Sequence, residues 1–189
     1  MSSTDIIIRP ARKEDALTIA HIIAMAIGDE AGLRNYCGDE YISVLRAVAC
    51  AEATQYSYEN VLIAESKGEV MGGVVGYDGA HLMALRRGTL AIIEEHTGRV
   101  PMIVDETEAG EYYLDSIGVY PQFRGMGVGL KLVKAFVEQA FAKGAERVGL
   151  IVDIQNPNAE RLYCKQGFRY VGERTFFSHE MRHMQMVKE

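Results

Sequence analysis

Residues 121–133, PQFRGMGVGLKLV, place glycines at 125, 127 and 129 directly before a stretch with helical periodicity. A glycine inside a helix costs about 0.5–1 kcal/mol relative to alanine, so three in five residues imply a backbone that something must approach. Free N–H groups at a helix N-terminus, with the helix dipole behind them, form an anion site, and a phosphate is the natural guest. A P-loop would need G-x-x-x-x-G-K-[ST], and no lysine here is followed by Ser or Thr. A dinucleotide fold would need G-x-G-x-x-G, but the sixth position from Gly125 is Leu130. Asp153 does follow the next strand, where a ribose-binding acid belongs, so that reading is weakened rather than excluded. A glycine-rich turn with no ligand is the plain alternative.

A second patterned stretch, NPNAERLYCKQGF, occupies 156–168. Asn156 is a favoured N-cap, Pro157 a favoured first helical residue and Gly167 a favoured residue just past a helix end. Ala159, Leu162 and Tyr163 fall at i, i+3 and i+4 and form a core stripe.

These stretches need elements to position them. DIIIR (5–9) reads as a strand ended by Pro10, and 13–27 as a helix with Leu17, Ala20, Ile23 and Ile27 on one face. A second helix covers about 39–53. NVLIAES and EVMGGVVGY flank KGE as a β-hairpin. Residues 79–98 read as a helix with Gly88 a weak point, and 111–121 as a strand ended by proline. A helix over 127–143 carries Leu130, Val133, Val137, Ala140 and Phe141; RVGLIVDI is a buried strand; NPNAERLYCKQGF (156–168) is a short helix; RYVGERTFF and MRHMQMVK form a closing hairpin. The order β-α-α-β-β-α-β-α-β-α-β-β predicts one α/β domain over 1–189, a mixed sheet with helices on both faces.

Composition narrows the function. Apolar residues make up 48% and charged residues 24% of 189, as in ordinary globular proteins, and the net charge is −6. The acidic balance argues against a nucleic-acid partner and suits a cationic one. No signal peptide and no 18-residue apolar run is visible, which predicts a cytoplasmic protein with no membrane partner. Cys37, Cys50 and Cys164 have no paired or zinc-type spacing and read as buried or half-buried reduced thiols; no metal is expected.

QFRGMG (122–127) fits Q/R-x-x-G-x-G/A, and the 156–168 stretch fits N-x-x-A-x-x-L-Y-x-x-x-G-F, one helix and one strand later. Together they resemble the GNAT superfamily of N-acetyltransferases. The resemblance runs from about Glu111 to Phe177, with weaker support from IIIRPARKEDA, and 79–110 looks like an insertion. It implies a largely antiparallel sheet, splayed between strands 4 and 5 to hold coenzyme A. By the same resemblance, acetyl-CoA is the co-substrate and a small-molecule or peptide amine the acceptor, with a homodimer left open. The cofactor would be held by Ile117, Gly118 and Val119 on the strand, by Gln122, Arg124, Gly125, Met126, Gly127, Val128 and Gly129 at the pyrophosphate, and by Asn156. A non-catalytic acyl-CoA-binding or sensor domain is the alternative, and a nucleotide-dependent oxidoreductase comes third.

Acetyl transfer to an amine needs a polarised thioester, a deprotonated amine and a thiolate that can leave. An alkylammonium, with a pKa of ~10.4, is a free amine in only about one molecule in 10³ at neutral pH. Tyr163 matches the family position whose hydroxyl assists the thiolate. Some relatives carry a glutamate in the fifth strand, where Ile151 stands here. Asp115 and Glu111, on one face of the preceding strand, are therefore the candidate bases, with a water relay as the alternative. His179, Glu180 and His183 around the last hairpin, and Glu30, Tyr36 and Asp39 after the first helix, are candidates for the acceptor pocket.

Overall fold

The computed structural model describes residues 5–176 and 179–188. Residues 177 and 178, within the expected closing hairpin, lie outside the described residues. Strands are β1 (Ile7–Pro10), β2 (Val61–Ser66), β3 (Glu69–Asp78), β4 (Tyr112–Val119), β5 (Arg147–Asp153), β6 (Arg169–Phe176) and β7 (His179–Val187). Helices are α1 (Ala16–Ile27), α2 (Glu30–Cys37), α3 (Tyr41–Cys50), α4 (Leu82–Thr97), α5 (Val128–Ala142) and α6 (Pro157–Gln166). The strands form one sheet in the order β1-β2-β3-β4-β5-β7-β6, antiparallel except for the β4–β5 pair. The mixed, largely antiparallel sheet and its flanking helices match the expected fold.

Two apolar cores lie on opposite faces of the sheet. One joins α5 and α6 to β2, β3, β4 and β5 through Leu132, Val133, Phe136, Leu114, Leu150, Tyr163 and Phe168. The other joins α1, α2, α3 and α4 to the opposite face through Ile19, Ile23, Leu45, Val48, Ile63, Val75 and Ile93. The buried arcs are wider than the sequence stripes. In α5 the buried residues include Leu132 and Phe136, whereas Leu130 is exposed; in α1, Ile19 and Ile22 are buried and Leu17 is exposed. Contact with both the sheet and α3 buries more of α1 than one face.

Helix α2 is an addition to the expected order. Asp29 caps it, accepting hydrogen bonds from the N–H groups of Ala31 and Gly32 at 3.0 Å. Its buried residues Leu33, Tyr36 and Cys37 fall at i, i+3 and i+4, but over eight residues with Gly32 inside that is a short signal. Among the cysteines, Cys37 is buried and Cys50 half-buried, while Cys164 is exposed, contrary to expectation.

Candidate active site

The site begins where β4 leaves β5. The two strands pair only at Tyr112↔Val148 and Tyr113↔Gly149. On the other edge of β4, Val75 pairs with Ser116 and Gly76 with Leu114, so Asp115 is an extra residue, a β-bulge. A bulge bends and twists its strand, and this one falls at the point of divergence. It also reverses the alternation of side chains. Leu114 faces the α5 core before it, and Ile117 and Val119 face that core after it. Gly118 then faces α1, where a Cβ would lie 3.0 Å from Ile22 O. Tyr120 N–H bonds to Met71 O at 3.0 Å; by strand alternation the N–H groups of Ile117 and Val119 point into the gap.

At the closed end of the gap, Glu111 reaches over Gly149 to β7. Its Oε1 accepts from the Thr107 hydroxyl at 2.7 Å, and its Oε2 lies 2.9 Å from His183 Nε2 and 2.7 Å from Gln185 Nε2. Burial alone would raise the Glu111 pKa, but these hydrogen bonds outweigh it and hold the carboxyl below its ordinary value. Glu111 does share a sheet face with Asp115, yet it is no part of the cavity lining. Its partners make it a brace at the apex of the gap.

The glycine loop lies beyond the far end of β4. Gly125 and Gly127 have φ of +79° and +80°, and a Cβ on either would meet nothing within 4 Å. Backbone handedness, then, and not a crowding neighbour, calls for glycine at both positions. The ladder of α5 starts with Lys131 N to Gly127 O at 3.1 Å, which leaves the N–H groups of Val128, Gly129 and Leu130 without helical partners. The Val128 side chain is buried and anchors the helix start. Arg124 Nε donates to Val119 O at 3.2 Å and ties the loop to β4. Gln122 and Met126 are exposed beside it.

A cavity of about 890 Å³ fills the gap and extends beneath α1 and α2. Tyr163 lies on its wall, edge-on to Phe168 with ring centroids 5.8 Å apart. Burial pushes the Tyr163 hydroxyl up to about 12, so it is protonated at neutral pH. Asn156, also on the wall, caps α6 by accepting from Ala159 N–H at 3.1 Å. The carboxylic side chains on the wall are Asp29, Glu106, Asp115 and Asp153, and among the described residues no Lys or Arg lines it.

Asp115 belongs to a buried polar network. Ser116 Oγ donates to its Oδ1 at 2.8 Å, and the Tyr77 hydroxyl to its Oδ2 at 2.8 Å. The same hydroxyl lies 3.2 Å from Glu106 Oε1, and Gln55 Nε2 donates to both, at 2.9 Å to Tyr77 and 3.1 Å to Glu106. Arg86 pairs with Glu106 and Asp105. Burial, followed by the repulsion of Asp115, pushes Glu106 up to about 7. Burial raises Asp115 as well, against the hydrogen bonds from Ser116 and Tyr77.

Other expected pocket residues divide. Tyr36 lines the cavity, but Glu30 and Asp39 pair with Arg34 on the exposed side of α2, at 2.8 and 2.6 Å. His179 lines the cavity with Nδ1 2.9 Å from Asp153 Oδ2. His183 is buried against Glu111, and Glu180 is exposed. Glu106, Tyr77, Gln55 and Arg86 were not singled out from the sequence. They lie far apart in the chain and meet only through the sheet and α4; two of them come from 79–110, the stretch with the weakest motif content.

Comparison with known proteins agrees with this fold. The model of the acetyltransferase (GNAT) family matches residues 39–168. The chain therefore belongs to that family. A structure described only as an acetyltransferase is 34% identical, with a TM-score of 0.83, over 97% of this chain and 100% of its own. The chain is 43% identical over 51 residues to thialysine N-epsilon-acetyltransferase of Mus musculus, covering 27% of this chain and 30% of that protein. It is 30% identical over 93 residues to spermine/spermidine N(1)-acetyltransferase of Bacillus subtilis, covering 49% of this chain and 59% of that one. These matches thus span only part of the curated relatives. The structure of yncA from Salmonella typhimurium, solved with its cofactor acetyl-CoA, shares the fold at a TM-score of 0.63 and 21% identity, over 96% of this chain and 93% of its own.

Proposed function

We propose that the protein moves an acetyl group from acetyl-CoA to a primary amine by direct attack of the amine nitrogen. One observation carries this reading. A single gap has free backbone N–H groups at one end and, along its length, a cavity lined by four carboxylic side chains with no Lys or Arg among the described residues. The N–H groups at 125 and 127–130 suit a pyrophosphate, and those of Ile117 and Val119 suit the pantetheine amide and the thioester carbonyl. Bound there, acetyl-CoA supplies an activated acyl carbonyl and a thiolate leaving group. Tyr163, protonated and at the wall, donates to the departing sulfur. Asn156 flanks the pantetheine arm. Asp115 holds the acceptor's ammonium at the bulge, whereas Glu111, away from the wall, takes no chemical step.

The carboxylate-lined cavity favours a cationic acceptor, and the amines named by the relatives, spermine, spermidine and thialysine, are the first to try. Calorimetric titration with acetyl-CoA and a thiol-release assay over these amines test the reading. Saturable binding with coenzyme A release is the expected outcome. Binding without release over a broad amine panel favours an acyl-CoA-binding or sensor domain instead, and no binding at millimolar concentration rules the reading out.

A further inference from the structure

We infer that Glu106, brought in by the 79–110 segment, is the base that takes the ammonium proton, working with Asp115 as a carboxylate pair bridged by the Tyr77 hydroxyl. The inference deepens the acetyltransferase reading and rests on it. Its basis is a proton count. The Tyr77 hydroxyl lies 2.8 Å from Asp115 Oδ2 and 3.2 Å from Glu106 Oε1, yet a phenol has one proton to give. With that proton on the Asp115 side, the Glu106 contact is a hydrogen bond only when Glu106 Oε1 carries a proton of its own. The pair therefore has a built place for one extra proton, close to the neutral range.

Both carboxyl groups open on the cavity that would hold the acceptor. So does Gln55, whose Oε1 is buried with no hydrogen-bond partner among the described residues. An ammonium N–H would satisfy that oxygen. Burial also disfavours the ammonium itself, which narrows the pKa gap between acceptor and base. The groups facing Glu106 come from every side: Arg86 on α4, Tyr77 on β3, Asp115 on β4, Gln55 before β2, and the neighbouring Asp105, with the tyrosines 36, 56 and 113 close enough to be perturbed by the pair. Arg86 is the positioning residue. It occupies Glu106 Oε2, and so leaves Oε1 for the proton.

The step balances. One ammonium proton passes to the ionised pair and on to solvent. The freed lone pair forms the C–N bond while the C–S bond breaks. The nitrogen loses its second proton, and Tyr163 protonates the sulfur and is restored by that proton.

The test uses the full chain and whichever of spermine, spermidine or thialysine the wild type turns over fastest, with kcat/KM for that amine followed from pH 5.5 to 10. The wild type should rise through an inflection near 7 and then level off, because ammonium and ionised base coexist above it. Glu106→Gln should lose roughly 10²–10⁴ in kcat/KM at pH 7. It should also lose the inflection and climb about tenfold per pH unit towards the amine's own pKa, since only free amine now reacts. Acetyl-CoA affinity should hold in both. Tyr77→Phe, which keeps the ring, serves if Glu106→Gln does not fold; removing the hydroxyl that bridges the pair should displace the inflection from its wild-type position. A Glu106→Gln or Tyr77→Phe profile with the wild-type shape and inflection overturns the assignment and leaves the acetyltransferase reading intact. No coenzyme A release by the wild type with any amine overturns both.

Discussion

In the proposed reaction two side chains on the cavity wall carry opposite demands, and the surroundings of each suit its part. Tyr163 must keep its proton until a thiolate appears, and burial pushes it up to about 12. Glu106 must be able to lose one near neutrality, and burial and the charge of Asp115, opposed by Arg86, leave it near 7. The Tyr163 role can be isolated because among the described residues its hydroxyl makes no hydrogen bond to protein while its ring is packed against Phe168. Tyr163→Phe should therefore change stability by less than about 1 kcal/mol. Coenzyme A release at saturation should fall by roughly 10²–10⁴ with acetyl-CoA affinity retained. Paired melting curves and turnover measurements check this. Normal melting with near wild-type turnover makes Tyr163 a packing residue, with another acid protonating the sulfur.

The elements divide between a loop proposed to hold phosphate and a strand pair that parts. At Gly127, with φ of +80°, an alanine adopts the left-handed region at a cost of roughly 1–2 kcal/mol. Gly127→Ala should lower the Tm and weaken coenzyme A binding while leaving turnover at saturation close to wild type. Gly129 has ordinary backbone, and a Cβ there meets Leu162 at 3.6 Å, an ordinary contact. Gly129→Ala should fold as well as the wild type, and calorimetry on the two variants separates handedness from ligand approach. Where β4 and β5 still pair, Glu111 passes over Gly149, and any Cβ there would run into its carboxylate. Gly149→Ala should unseat Glu111 and leave His183, Gln185 and Thr107 without their acceptor, a loss of at least about 2 kcal/mol that denaturant unfolding would register.

For the whole molecule, stability as a function of pH should have two distinct limbs. Glu111 has a lowered folded pKa, so its contribution is complete above the ordinary value of 4.5 and disappears as the pH falls through the lower folded one. Glu106 is raised from 4.5 to about 7, so the opposite holds. Its contribution is present below 4.5 and is lost as the pH climbs to about 7 and beyond. Asp115, raised from 3.8, adds to the same decline. Melting temperatures from pH 3 to 9 should thus fall at both ends. Glu111→Gln should flatten the acid limb, and Glu106→Gln the neutral one. A neutral limb that survives in Glu106→Gln would assign it to another group.

Local sequence determined most of the elements, because each rests on signals a few residues apart. The period of α5, the Asn156 cap with Gly167 after α6, and the KGE turn between β2 and β3 all act within single elements or tight turns. The glycine loop was legible for the same reason, although the sequence pointed to ligand approach and the structure adds positive φ at Gly125 and Gly127. Helix α2 escaped notice because eight residues scarcely complete two turns. The bulge at Asp115 has no local signal, since it exists only as a register shift against β3. The separation of Asp115 from Glu111 also needed tertiary structure. A strand period puts both on one face, but Thr107, His183 and Gln185, one near in sequence and two more than 70 residues away, draw Glu111 out of the cavity. Glu106 meets Asp115 only because α4 and the segment after it fold back on the sheet, so that Arg86, Tyr77 and Gln55 converge from three parts of the chain. Propensity and capping operate between neighbours along the backbone. Proton affinity depends on burial and on charges within a few ångströms in space, and only the packed chain decides those.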